Sequence, residues 1–340
     1  MLFVAAVMAA GLGADNGPVE VHVLRTVTVF EAEEHLNFPW AYRGPGSLLA
    51  LNCSIGRHTV SEHGMGLVSD DDGQTWAKPK EPALGGMGTL LRDGRGVVLQ
   101  CWGPDANDDG SYPATTVFSA DGGRTVTERV GGVLTLPFVM KPHFHRSIVE
   151  LPDGSLVATI YGTREGHTKY TSALVRTEDG GNHWAFRSVM AHSEEVGREG
   201  FCEPALARLA NGDLLCALRT GGPLYTVRST DDGQTWDEPC VVADHGVDPA
   251  LLVMKNGALV LSYGRPNVDL LISGDGSGAE WDGPFTVYRG PGCHYTSLVE
   301  AVNGDLMLFF SQSGFCGAEG TGPLNMMRLA RIAVGHGRGQ

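Results

Sequence analysis

The chain has 340 residues, 48 of them glycine, with 42% hydrophobic residues and a formal net charge of −14. That length and glycine content suit one large all-β domain rich in turns. An acidic chain without a basic stripe excludes a nucleic-acid partner and has no attraction for an anionic membrane, so an anionic ligand must be held by a few local arginines against a repulsive field.

Residues Met1–Ala14 form a short apolar run ending in small residues. It is too short to span a bilayer and reads as a secretory hydrophobic region without its basic start, or as an inner strand or tail. The expectation is a signal remnant or tail over 1–18, a single domain over 19–335, and a secreted or periplasmic protein. No other segment is apolar enough for membrane insertion. Oligomeric state is not legible.

From Asn37 onward the chain falls into units that open on X-x-[Ala/Ser]-[Leu/Ile], pass a Gly-x-Leu turn and continue as an apolar strand. The first copy, Asn37-Phe-Pro-Trp40 with Gly46, is degenerate, and the second is Met87–Leu90 with Gly94. His145–Ile148 with Gly154, Glu203–Leu206 with Gly212, Asp248–Leu251 with Gly257 and Tyr295–Leu298 with Gly304 complete six. The short apolar runs between turn residues are strand-like, and no segment carries a helical period.

Overlaid on these units is the phrase Ser-x-Asp-x-Gly-x-Thr-Trp, found at Ser69–Trp76 and Ser229–Trp236, with variants starting at Ser119, Thr177 and Ser273. The starts lie 50, 58, 52 and 44 residues apart, a period that fits the blade of a propeller. Each copy reads as a hairpin turn in which the Asp accepts backbone N–H bonds, the Gly supplies a positive φ and the Trp packs under the turn. One carboxylate per loop is too few for a calcium site. The fold class predicted is all-β, a six-bladed β-propeller.

In a propeller the first strand of each blade lines the central channel. The X positions, Asn37 or Phe38, Met87, His145, Glu203, Asp248 and Tyr295, are therefore expected at one mouth, where such ionisable groups form a candidate reaction centre. The other reading is a solvated channel entrance. Arg219 and Arg265 each end a second strand and are expected on the same side, where two guanidinium forks suit a carboxylate or phosphate. His143 and His145 alternate onto one face, near Tyr161 and Arg164. Two histidines alone leave a metal site without a third ligand. Seven cysteines with no CxxC pair give no zinc spacing. Cys202 with Cys216, or Cys293 with Cys316, can bridge in an oxidising compartment, or all can be buried small hydrophobes.

The boxes resemble the Asp boxes of the sialidase (neuraminidase) superfamily of six-bladed propellers, over about Phe38 to Arg331. Asp boxes also occur in non-enzymatic propellers. Glu203 through Arg219, Gly264-Arg265 before the last box, and His294-Tyr295-Thr-Ser-Leu298 are similar to the family's base, arginine and nucleophile stretches. The resemblance implies a glycoside hydrolase acting on a terminal carboxylated sugar, with Tyr295 as nucleophile, Glu203 taking its proton, and Arg219 and Arg265 clamping the sugar carboxylate. His143, His145 and Asp248 are further candidates for substrate contact. No cofactor is expected. The N-terminal half departs from the family: no Arg stands at Asn37–Trp40, so either Arg43, Arg57 or Arg146 supplies a replacement, with Arg57 favoured, or the carboxylate is held by two arginines only. Alternation turns Arg146 away from the face of His145. The acid falls to Glu62 or His63. Alternatives are a uronate-specific polysaccharide lyase using His and Tyr, and a glycan-binding propeller without catalysis.

Overall fold

Runs rich in Val, Leu, Ile and Thr, each cut off by a Gly-containing turn, pair as antiparallel ladders, and among the described residues every regular element is a strand. The computed structural model describes residues 18–57, 60–81, 83–84, 87–290, 292–312 and 325–336, without the side chains of 57, 60–63 and 336. The run at Met1–Ala14 lies outside the described residues. Among the described residues no helix is long and apolar enough to cross a membrane.

A long strand β1 (Val19–Ala32) precedes the repeats. Unit one holds β2 (Leu36–Arg43), β3 (Leu49–Arg57) and β4 (Val60–Ser69). Unit two holds β5 (Thr89–Leu90), β6 (Gly96–Gln100), β7 (Tyr112–Ser119) and β8 (Glu128–Thr135). Unit three holds β9 (His143–Glu150), β10 (Leu156–Thr163), β11 (Tyr170–Thr177) and β12 (His183–His192). Unit four holds β13 (Cys202–Arg208), β14 (Leu214–Arg219), β15 (Leu224–Ser229) and β16 (Cys240–Ala243). Unit five holds β17 (Val247–Val253), β18 (Leu259–Gly264), β19 (Val268–Ser273) and β20 (Asp282–Tyr288). Unit six holds β21 (Thr296–Glu300), β22 (Leu306–Gln312) and β23 (Asn325–His336).

The first strands pack in a closed ring, β2 on β5, β5 on β9, β9 on β13, β13 on β17, β17 on β21 and β21 on β2. This is a propeller. β1 supplies the outer strand of the last unit, antiparallel to β23, so the first and last described strands share one sheet. Units two and three are joined into one eight-stranded sheet because β8 runs parallel to β12. The apolar core lies between neighbouring blades: Leu36, Leu49 and Leu51 of unit one bury against Val299, Met307 and Phe309 of unit six.

The Asp boxes are closed hydrogen-bond loops. Ser69 Oγ donates to Asp71 Oδ1 (2.8 Å) and accepts from Gly73 N–H (2.8 Å). Thr75 gives its N–H to Asp71 Oδ1 (2.8 Å) and its hydroxyl to Oδ2 (2.6 Å). Gly73 and Gly233 sit at φ 80° and 79°, a region costly for other residues. The tryptophans reach further than a packing role under their own turn. Trp184 Nε1 donates to Thr116 Oγ1 of unit two (2.9 Å), and Trp236 Nε1 to Ser188 Oγ of unit three (2.9 Å). Trp76 meets Phe309 of unit six edge-on. These three boxes thus tie their blades to the preceding ones.

The first strands carry a repeated bulge. Between the pairs Cys202–Arg219 and Ala205–Ala217, two residues of β13 face one of β14. The same irregularity occurs in β2 and β17. Left-handed residues mark it: Phe38 (φ 49°), Arg146 (64°), Glu203 (45°) and Asp248 (47°), and His294 (58°) takes the same conformation just ahead of β21. In units three and six the marked residue is therefore one removed from the expected X residues His145 and Tyr295. In β9 three residues, His145, Arg146 and Ser147, stand opposite Thr159 alone. Strict alternation fails there, and Arg146 does not turn away from His145.

Of the two cysteine pairs, Cys202 and Cys216 are both free and buried. The register explains this, for Cys202 stands opposite Arg219 while Cys216 stands opposite Leu206. Cys293 is disulfide-bonded; Cys316 lies outside the described residues.

Candidate functional site

β14 ends on Arg219 and β18 is followed by Arg265 because second strands of neighbouring blades run toward the same mouth. The two side chains, with Arg198, His245 and His294, line a cavity of about 630 Å³. Arg219 is held from both sides: Nη1 donates to Glu203 Oε1 (2.6 Å) and Nη2 to Glu199 Oε1 (2.8 Å). Burial alone would lower the guanidinium's pKa, but the Glu203 and Glu199 charges outweigh it and the net shift is upward. Glu203 Oε2 accepts the Asp248 N–H (2.9 Å).

Tyr295 is 1% exposed. Phe38 stacks on its ring with centroids 4.5 Å apart, and the Arg265 guanidinium lies 5.2 Å from its centroid. Arg265 Nη2 donates to the Tyr295 hydroxyl (3.3 Å), and Arg265 Nε to the Cys293 carbonyl (3.2 Å). Burial raises the Tyr295 pKa, the nearby Glu203 charge adds to the rise, and Arg265 and Arg219 oppose it. Tyr295 and Glu203 are thus near neighbours, but the Glu203 oxygens bond to Arg219 and to Asp248 N–H rather than to the phenol. Neither residue lines the cavity; they stand behind the arginines that do.

Asp248 is fully buried at the centre of the ring. Its Oδ1 accepts from Arg146 Nη2 (2.7 Å) and stands 3.3 Å from His145 Nε2, while Oδ2 accepts from Thr296 N–H (3.2 Å). Burial pushes the Asp248 pKa up, but Arg146 and His145 overcome it and hold the carboxyl below the ordinary range. His145 Nδ1 meets the Pro204 carbonyl (3.2 Å), so both ring nitrogens face protein rather than ligand. Asp248, His145 and Arg146 form an internal clasp linking units three to six.

His143 shares the face of Tyr161, with ring centroids 5.4 Å apart, and also meets Trp102 edge-on at 4.8 Å. Burial, then the Lys141 charge, lowers its pKa. Trp102 is 60% exposed. It follows the second strand of its blade, as Arg265 does, and so stands at the same mouth. Arg164 lies over the Phe138 ring. Arg43 belongs to the other end of the channel, where Nη2 bonds Asp72 Oδ1 (2.6 Å) beside an Asp-box turn. The side chains of Arg57, Glu62 and His63 lie outside the described residues; their backbone belongs to β3 and β4.

Sequence reasoning overlooked Arg198, Glu199 and Trp102. The first two sit in the β12–β13 connection, outside the repeated pattern. The available signal was the acidic and basic pair Arg198-Glu199 just before Glu203, and for Trp102 the strand-end position that drew attention to the arginines.

The family model described as a BNR repeat-like domain matches residues 90–308. No curated protein sequence matches the chain. Among solved structures, a protein of unknown function from Dyadobacter fermentans superposes with a TM-score of 0.74 at 17% identity, covering 92% of this chain and 99% of that one. An alpha-L-arabinanase from Penicillium chrysogenum gives 0.64 at 16% identity, covering 92% and 98%. The intramolecular trans-sialidase from Ruminococcus gnavus gives 0.64 at 13% identity, covering 90% and 96%. At these identities the likeness is one of fold.

Proposed function

The chain belongs to the BNR repeat-like family, matched over residues 90–308, and on that premise we propose that it is a glycoside hydrolase removing a terminal carboxylated sugar, sialic acid or a related acidic sugar, from a glycan. The observation that carries this reading is the cavity walled by Arg198, Arg219 and Arg265 directly in front of the buried Tyr295 and Glu203. Guanidinium forks are the natural partners of a carboxylate in an otherwise acidic protein.

In this reading the substrate carboxylate draws Arg265 off the Tyr295 hydroxyl and uncovers it. The phenol oxygen then attacks the anomeric carbon while Glu203 accepts its proton; a tyrosine nucleophile is a known departure from the two-carboxylate scheme. A neutral nucleophile brings no second negative charge against the sugar carboxylate, and burial keeps Tyr295 protonated until the substrate arrives. Glu62 or His63 is the proposed acid, and Arg57 a further carboxylate ligand. Trp102 offers an exposed ring on which the leaving sugar can stack. The bonded Cys293 favours a secreted or periplasmic location.

One observation favours a second reading. Both Nη groups of Arg219 are already occupied by carboxylates, Glu203 and Glu199. Two carboxylates held side by side suit a hydrolase with a carboxylate nucleophile acting on a neutral sugar, and an arabinanase is among the structures of similar fold. Hydrolysis of matched aryl glycosides separates the two. Release from the carboxylated sugar, without an ultraviolet-absorbing unsaturated product, supports the first reading. Release from the neutral arabinofuranoside alone supports the second. Elimination product in place of hydrolysis, or no turnover of either, defeats both.

A further inference from the structure

We infer that His167, His192 and Glu194 form a binding site for a divalent transition-metal ion of the zinc class, which fastens the loop carrying Arg198 and Glu199. His167 lies in the turn between β10 and β11, His192 closes β12, and Glu194 opens the β12–β13 connection. Their ligand atoms all lie within 4.8 Å of one another. Glu194 Oε1 stands 3.1 Å from His167 Nδ1 and 3.6 Å from His192 Nε2. A tetrahedral ion with bonds of about 2.0–2.2 Å sets its ligands roughly 3.3–3.6 Å apart, so the two Glu194–imidazole distances come close to two edges of such a tetrahedron.

Supporting bonds hold the ligands in pose. His192 Nδ1 meets the buried Thr171 hydroxyl (2.9 Å), leaving Nε2 to face Glu194. Glu194 Oε2 accepts from the Thr168 hydroxyl (2.5 Å), and the Thr168 N–H reaches both carboxylate oxygens (3.3 Å each), which holds Oε1 between the imidazoles. Such outer partners are what a metal centre needs to fix tautomer and carboxylate orientation. The imidazole rings sit edge to face with centroids 4.5 Å apart. Partial exposure of His167 and Glu194 leaves room for water as fourth ligand. Two imidazoles favour zinc, nickel, cobalt or copper over calcium and magnesium, which prefer oxygen.

Lys169, two residues from His167, donates to the Gly197 carbonyl (2.6 Å), and Tyr170 N–H bonds the Glu199 carbonyl (2.8 Å). An ion on Glu194 would add to these ties, and to the Thr168–Glu194 bond, in the same loop next to the cavity wall.

The test is equilibrium dialysis of the full chain, stripped with chelator, against Zn2+ and, separately, Ca2+, with thermal unfolding measured alongside. Expected are one retained Zn2+ per chain, an unfolding temperature raised by Zn2+ and not by Ca2+, and loss of both effects in His192→Ala and Glu194→Gln. Thr171→Val should weaken binding by about 10–100-fold, as loss of an outer partner does, and Thr171→Ser should restore it. Should His192→Ala fail to fold, the more exposed His167→Ala decides. Wild type retaining no more Zn2+ than the His167→Ala/His192→Ala double variant, or unaltered affinity in Thr171→Val, overturns the proposal.

Discussion

Arg265 sits with its guanidinium over the Tyr295 ring and its Nη2 on the phenol. In the proposed reaction it has two tasks, to cap the nucleophile at rest and to hold the substrate carboxylate. Arg265→Ala should therefore cut kcat/KM on an acidic glycoside by the equivalent of about 2–5 kcal/mol, the cost of stranding a buried charge. Equal rates on acidic and neutral glycosides in that variant would remove the clamp. In the proposed reaction the leaving group passes Trp102, and Trp102→Ala should raise KM by the equivalent of about 1 kcal/mol with kcat unchanged, the mark of uniform binding; unaltered KM would make the ring a bystander. At this scale the sequence was legible where a side chain sits at a fixed place in the repeat, which is how Arg219 and Arg265 could be set on one side. It was opaque at Arg198 and Glu199, which lie in the β12–β13 connection, outside the repeated strand-and-turn pattern. It also misled at Arg146, because an extra residue in β9 breaks the two-residue alternation on which the inference rested.

The Asp box is the element whose chemistry could be read off the chain most fully. Ser, Asp, Gly and Thr each occupy the hydrogen-bonding or left-handed position their side chains suit. Its Trp could not be read, since bonding to the preceding blade depends on how blades stack. Asp71 is held at about 2, chiefly by the Thr75 hydroxyl, and Asp231 at about 2, chiefly by the Thr235 N–H. A carboxyl whose folded pKa lies below its unfolded value adds stability that is complete above the unfolded value, near pH 4, and is lost as pH falls through the folded one. Urea midpoints should therefore drop between about pH 4 and pH 2, and the drop should be shallower in the Asp71→Asn/Asp231→Asn variant. An identical acid profile in both proteins would show that the boxes do not set it.

Across the whole molecule the ring is held at rim and centre. β1 completes the last blade at the rim, and Asp248 ties units three to six at the centre. The period of the repeats made six units visible, but β1 carries no box and no Gly-x-Leu turn, so its pairing with β23 could not be read. Asp248→Asn should lower global stability by about 3–5 kcal/mol, because Arg146 would be left charged and unpaired in the interior; a change below 1 kcal/mol would mean that the clasp is dispensable. That rigid centre is also the floor on which Glu203 and Tyr295 rest, since Asp248 N–H bonds the Glu203 carboxylate. The most direct test of the account is mass spectrometry of the chain after reaction with an activated, fluorinated glycoside of a carboxylated sugar, which slows breakdown of a covalent intermediate. A tyrosine nucleophile gives one sugar adduct per chain on the peptide containing Tyr295, absent in Tyr295→Phe. An adduct on Glu199 or Glu203, or turnover that persists in Tyr295→Phe, would contradict it.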